Sequence, residues 1–252
     1  MTTPSGLILA AVGNSRVRLA RWQGGQLVDA RSFLNDEALP DLPLFEDAGA
    51  CVIATVHRAA ADRLEQAIRA LRPAIEVYRI GRDLSIPVRC AVDDPRAVGH
   101  DRLLNALAAF DRAKQACVVV DAGTAVTVDF IDGEGTFQGG VIAPGVRMML
   151  DALHEHTDAL PRITDETPDP AHGPFGRNTA HAMRLGVRDA LVGLVRAAVE
   201  RFAESYGAFP QVIATGGDAP LLENAGIVEH FVPDLQLLGL GLCVERADDD
   251  DD

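Results

Sequence analysis

Cys117-Val118-Val119-Val120-Asp121-Ala122-Gly123-Thr124-Ala125-Val126-Thr127-Val128-Asp129 is an apolar, β-branched run that enters a small turn and leaves it as a second β-rich run. Two strands joined tightly are the direct reading. Gly123 sits in the turn, where a residue without a Cβ lets main chain or ligand approach closely. Thr124 adds a hydroxyl, and Asp121 places a carboxylate at the strand end. Turn amides with a hydroxyl form a concavity for an anion, and the carboxylate beside it can hold a cation. For this stretch alone, a hairpin with an ordinary polar turn is the simpler account of the same residues.

The same architecture opens the chain. Leu7 to Ala11 read as a short apolar strand, Val12-Gly13-Asn14-Ser15 as a turn, and Val17 to Trp22 as the returning strand. Gly13 and Gly123 are far enough apart to head two halves of one chain. Strands and helices alternate after each, which predicts a duplicated α/β fold of two domains with a central cleft. Residues 1–114 form the first half in this reading and 115–247 the second, with 248–252 as an acidic tail.

Between the two turns, Cys51 to Val56 read as a buried strand and Arg58 to Leu71 as an amphipathic helix with Ala60, Leu64, Ile68 and Leu71 on one side. Pro73 ends that helix and Ile75 to Ile80 resume as a strand. Pro87, Asp93-Asp94-Pro95 and Gly99 mark irregular backbone before a helix from about Asp101 to Lys114. Asp101 falls in its first turn, where the helix dipole favours a carboxylate by roughly 0.3–1 kcal/mol. It reads as a cap, or as a base for a substrate hydroxyl. Arg102 can orient an anionic substrate from the same turn.

Beyond the central hairpin, Asp132-Gly133 is a hairpin turn, Gln138 to Gly145 a glycine-flanked strand, and Met148 to Leu153 the start of a helix. His154 and His156 have no carboxylate or thiol cluster at ligand spacing and read as a solvated pair. Thr157 to Arg177 read as a long, substrate-handling connection. Asn178-Thr179 cap a helix from about Ala180 to Tyr206, Gln211 to Thr215 form a strand, and Gly216-Gly217-Asp218 a turn opening a helix. A last apolar helix runs from about Leu235 to Arg246.

Composition excludes some partners. The formal net charge is -14, of which the run Asp248 to Asp252 supplies five units, so nucleic acid and anionic membrane are poor partners. Cys51, Cys90, Cys117 and Cys243 are widely spaced without a CxxC pair, which suits reduced thiols. No bilayer-spanning stretch and no basic-then-apolar leader stand out, and a cytoplasmic protein is expected.

In order along the chain, these features resemble the type III pantothenate kinases of the actin-like, sugar-kinase superfamily. The resemblance rests on Gly13-Asn14-Ser15, on Pro95 with Gly99-His100-Asp101-Arg102, and on Asp121-Ala122-Gly123-Thr124-Ala125 with Thr127 and Asp129. Gly139 to Gly145, Leu160-Pro161, Asn178-Thr179, Thr215 to Asp218 and Pro233-Asp234-Leu235 through Gly239-Leu240 add to it. It implies transfer of the γ-phosphoryl of ATP to pantothenate, giving 4′-phosphopantothenate, the entry to coenzyme A. Asp101 would be the general base. Val92, Gly99, His100, Arg102 and Thr179 would lie at the substrate. Gly13, Asn14, Ser15, Arg18, Thr124, Gly216 and Gly217 would bind ATP, used with Mg2+. Asp121 would hold a monovalent cation, K+ or NH4+, and the family implies a homodimer.

The chain departs from that pattern at two places. The family's first motif runs Asp-any-Gly-Asn-Thr and then, after two intervening residues, Lys; here Ala11, Ser15 and Arg18 stand in it. Serine keeps the hydroxyl and arginine the charge with altered geometry, but alanine removes the carboxylate expected near magnesium. Val92 stands where the family carries Tyr. Three readings follow: a working kinase, a weakened or inactive homologue with a binding or regulatory role, and another ATPase or sugar kinase of the superfamily.

Overall fold

Two five-stranded sheets form, each built around one of the two hairpins. In the computed structural model, which describes residues 6–39, 43–164 and 173–249, the first sheet has β1 (Leu7–Val12), β2 (Arg16–Gln23), β3 (Gln26–Leu34), β4 (Ala50–Thr55) and β5 (Glu76–Arg79), in the order β3-β2-β1-β4-β5. β1 pairs antiparallel with β2 and parallel with β4. The second sheet has β6 (Cys117–Ala122), β7 (Ala125–Ile131), β8 (Phe137–Pro144), β9 (Gln211–Thr215) and β10 (His230–Phe231), in the order β10-β9-β6-β7-β8. β6 likewise pairs antiparallel with β7 and parallel with β9. Counted outward from the hairpin, the two sheets share one strand scheme.

The described residues group into two units, one within 1–112, 135–137 and 234–252, the other within 113–134 and 138–233. In the first, α1 (Arg58–Leu71) covers one face of the sheet, burying Ala60, Leu64 and Ile68 against Ile8, Ala10 and Ile53. The sidedness follows from strand alternation, since Leu7, Leu9 and Ala11 point the other way. That other face carries α2 (His100–Ala113) and α5 (Leu235–Asp249), through Leu104, Leu107, Leu237 and Leu240. In the second unit α3 (Val146–Glu155) and α4 (Thr179–Tyr206) share one face of their sheet, where Leu150, Val187, Leu191 and Val195 meet Val118, Val120 and Val128. Asn178 caps α4 by accepting from the His181 amide at 2.9 Å, and Gly207 ends it at φ 81°.

Three features differ from the sequence reading. β3 was not expected: most of its residues are exposed on both faces, so it has no apolar alternation to betray it. Gly216-Gly217-Asp218 opens only a short 3-10 turn, Ala219–Leu222, after which Asn224 at φ 62° and Gly226 at φ 68° leave the helical region. The reading placed 115–247 in one half, whereas α5 packs on the first sheet. Gly239 lets its backbone press on that of α2, where a Cβ would lie 2.0 Å from the Leu104 carbonyl oxygen. Part of the Thr157–Arg177 connection, and the end of the Asp248–Asp252 tail, lie outside the described residues. Among the described residues, no helix is long and apolar enough to cross a membrane.

Candidate active site

In the first unit the site residues gather at the carboxyl ends of β1 and β4, the end of an α/β sheet that ordinarily binds ligands. The Val56 amide donates to the Val12 carbonyl at 3.1 Å, which ties the two strand ends together. Gly13-Asn14-Ser15 follow β1 directly, and Gly13 N donates to Arg16 O at 2.9 Å to close the turn. Asp101, the second residue of α2, accepts from the Arg102 amide at 2.8 Å. Its carboxylate folds back over Gly99: a Cβ there would lie 2.4 Å from Asp101 Oδ1 and 3.9 Å from Val56 Cγ1. Asp101, Gly99 and the first turn therefore share one end of the first sheet.

The neighbouring candidates are placed individually. His100 lies against Gly81, whose φ of 83° and missing Cβ make the room; a Cβ would be 2.6 Å from His100 Cε1. The Arg102 guanidinium carbon lies 5.3 Å from the ring centroid of Phe137, a cation–π contact. Val92 follows Ala91, whose amide donates to the Phe137 carbonyl at 2.9 Å, so this segment and Arg102 share one anchor. Arg18 reaches the Asp234 carboxylate at 3.6 Å. Ala11 is the register partner of Arg18 and is 2% exposed, in a cluster with Leu9, Leu104, Leu107 and Leu240. A methyl in that setting offers a magnesium ion no oxygen, so position 11 does not fit the ion.

In the second unit the hairpin turn and the glycine pair form one backbone assembly. The Ala122 carbonyl accepts from Asp218 N at 2.9 Å, and the Thr124 carbonyl from Gly145 N at 3.1 Å. Gly145 precedes α3 and tolerates no side chain, since a Cβ would lie 2.0 Å from the Gly123 carbonyl oxygen. Gly216, at φ 95°, is equally constrained, its virtual Cβ 2.2 Å from Ala122 O and 2.7 Å from Asp121 Oδ1. At Gly217 the space is open, as a flat ligand against the backbone requires. Thr124 is exposed at the turn. Thr179 opens α4 and is also exposed.

Asp121 does not stand alone. It is the register partner of Thr127 on β7 and of Thr215 on β9. The flanking residues Val120, Val126, Val128 and Ala214 face α3 and α4, so alternation puts Thr127, Asp121 and Thr215 in one row on the opposite face. Thr215 is 4% exposed, and its Oγ1 has no hydrogen-bond partner among the described residues. A carboxylate between two hydroxyls, one of them buried with its valence unused, fits a weakly hydrated monovalent cation.

Sequence reasoning missed two residues here. Thr215 was quoted only as part of a motif, because its role depends on the register of β9 against β6. Asn35 was not singled out at all. It lies beyond the unrecognised β3 and touches the first turn only through tertiary hydrogen bonds.

Burial pushes the Cys51 and Cys117 thiols up to about 12, with the Glu65 charge adding to the effect at Cys51. His154 Nδ1 lies 2.8 Å from the Leu160 carbonyl oxygen, and among the described residues no cluster of three or more metal-ligating side chains forms.

Two mixed sheets, each headed by a hairpin and flanked by helices, make this an α/β fold that solved structures share. A conserved Campylobacter jejuni protein, described as a Baf family transcriptional activator, superposes with a TM-score of 0.64 at 19% identity, over 96% of this chain and 99% of that one. The family model for type III pantothenate kinase matches residues 7–201. A type III pantothenate kinase of Acidiphilium cryptum is 40% identical over 199 residues, 77% of this chain and 72% of that protein. One from Rhizorhabdus wittichii is 33% identical over 264 aligned positions, 95% of this chain and 98% of its own. The chain belongs to the type III pantothenate kinase family.

Proposed function

We infer that the protein transfers the γ-phosphoryl group of ATP to the primary hydroxyl of pantothenate, giving 4′-phosphopantothenate. The observation that carries this reading is the joint placement of Asp101 and the Gly13–Ser15 turn at one end of the first sheet, in a chain of this family. The fold is taken as a duplication whose two turns serve one nucleotide in a cleft. Gly13, Asn14, Ser15 and Arg18 act on the phosphates from the first half. Thr124 acts on them from the second, and Gly216-Gly217 lie under the nucleoside.

Phosphoryl transfer asks a protein chiefly for alignment and charge neutralisation. Asp101 accepts the hydroxyl proton of pantothenate as the bond to phosphorus forms. Gly99 gives its carboxylate room, and the Arg102 amide holds Oδ1. Val92, His100, Arg102 and Thr179 line the pantothenate side, Thr179 from the second half or from the partner in a homodimer. Asp121, with Thr127 and Thr215, holds K+ or NH4+, which supplies positive charge beside the phosphates. Magnesium brought with ATP would neutralise phosphate charge, and residue 11 would offer it no ligand. Neither nucleic acid nor membrane is a partner, and the working compartment is the cytoplasm.

The specific observation favouring a second reading, a pseudokinase that binds nucleotide or pantothenate without turnover, is the burial of Ala11 among leucines. An ADP-release assay with pantothenate, ATP, magnesium and potassium separates the two. Pantothenate-dependent turnover with a high ATP requirement is expected. Asp101→Asn should cut it by at least about a hundredfold with ATP affinity unchanged. Turnover at the buffer level with ATP still bound would leave the pseudokinase standing.

A further inference from the structure

We propose that Asn35 is the positioning residue of the first phosphate turn, the group that aims its amides at the triphosphate; this rests on the ATP-binding part of the reading above. One side chain and one amide of Asn35 take up all three carbonyls of the turn. Asn35 Nδ2 donates to Gly13 O and to Asn14 O, both at 2.9 Å, and Asn35 N donates to Ser15 O at 3.1 Å. In a trans peptide the C=O and the following N–H point in opposite directions. Drawing the carbonyls of Gly13 and Asn14 toward Asn35 therefore turns the amides of Asn14 and Ser15 away from it. Consecutive amides presented on one side of a turn form an anion-binding concavity.

Asn35 is itself held. Its carbonyl accepts from Arg63 of α1 at 3.3 Å, and its amide pairs as the ladder between β2 and β3 ends. The chemistry is specific to a side-chain amide at this place. A carboxylate of the same shape would set its oxygens against two carbonyl oxygens and bring a negative charge toward the phosphates. A methyl would leave both carbonyls to water and release the turn. Both side-chain donations come from Asn35, so the turn's geometry depends on a residue 20 or more positions away.

The test is nucleotide binding to the full-length protein by calorimetry, without pantothenate, for wild type, Asn35→Asp and Asn35→Ala. ATP, ADP and adenosine are compared for each, and Tm is recorded. ATP affinity should fall by about tenfold in Asn35→Ala and further in Asn35→Asp, on the scale of one lost hydrogen-bond partner. Adenosine affinity should stay within about twofold and the KM for pantothenate unchanged, since Asn35 acts only through the phosphate turn. Equal losses for adenosine and ATP, ATP affinity unchanged in both variants, or a wild type that binds no ATP would each overturn the proposal. Wild-type protein that binds ATP but never phosphorylates pantothenate would sink the kinase reading alone.

Discussion

Replacing Thr215 by Val keeps the β-branched shape and removes one hydroxyl. Thr215 is 4% exposed, its Oγ1 lacks a hydrogen-bond partner among the described residues, and its register partner is Asp121. A buried hydroxyl left unpaired costs about 1–3 kcal/mol. Without a cation, the variant should therefore be the more stable protein by about 1 kcal/mol, a rise in Tm of roughly 2–4 °C for a chain of this size. Potassium should reverse the order. A ligand that binds only the folded state at a hundredfold excess over Kd stabilises by about 2.7 kcal/mol, and a tenfold weaker one by about 1.4 kcal/mol. If the hydroxyl is an oxygen donor to the cation, wild type gains about 1.3 kcal/mol more than the variant, enough to overtake it. The assay is thermal melting of both proteins across a potassium chloride titration at constant ionic strength, with N-methylglucamine as the replacing cation. A variant less stable than wild type without potassium would show that the hydroxyl already has a partner. Parallel shifts for the two proteins would show that Thr215 does not touch the ion.

Three further outcomes are expected. Ala11→Asp places a carboxylate among Leu9, Leu104 and Leu107, and should cost about 2 kcal/mol, roughly 4–8 °C of Tm, in metal-free buffer; magnesium with ATP should restore part of the loss and lower the KM for ATP. Gly239→Ala forces a Cβ to within 2.0 Å of the Leu104 carbonyl and should cost about 1–3 kcal/mol. Red-shifted emission of Trp22, which donates to Glu245 of α5 at 2.9 Å, would report the displaced helix. At Glu65 burial pushes the carboxyl up, but hydrogen bonds and charge from Arg69 and Arg79 outweigh it and hold the pKa below the ordinary value of 4.5. A depressed folded value contributes stability that is full above the unfolded pKa and is lost as pH falls through the folded one. Glu65→Gln should thus lower Tm at pH 7, and the difference should shrink progressively in melts run at pH values falling below 4.5.

The elements that were legible in the sequence are those whose burial writes a period into it. Arg58–Leu71 buries one face of a helix and was read at its observed limits. Both hairpins were visible because an apolar strand meets a glycine turn and returns. β3 was not, because sheet pairing alone holds it and its side chains face water. The site shows the same division. Asp101, Asp121 and the two turns lie in short contiguous motifs. Asn35 and Thr215 act through register and tertiary hydrogen bonds, which leave no local trace.

The loss at position 11 acts on one element of the reaction, and the strand geometry says which. Ala11 points to the face of the first sheet that α2 and α5 cover. The carbonyls of the turn two residues on are instead gathered by Asn35 at the end of β3. The direction of the turn amides is therefore set independently of residue 11, and losing a carboxylate there leaves the phosphate cradle in place. On the kinase reading, a carboxylate at this position would have supplied an oxygen beside the metal, so the deficit should fall on the magnesium-dependent step. Wild type should bind ATP with little dependence on magnesium, yet need an unusually high magnesium concentration for turnover. Ala11→Asp should lower that requirement without altering the metal-free affinity for ATP. If metal-free ATP binding itself strengthened in Ala11→Asp, residue 11 would be shaping the turn, and the separation argued from the two faces of β1 would fail.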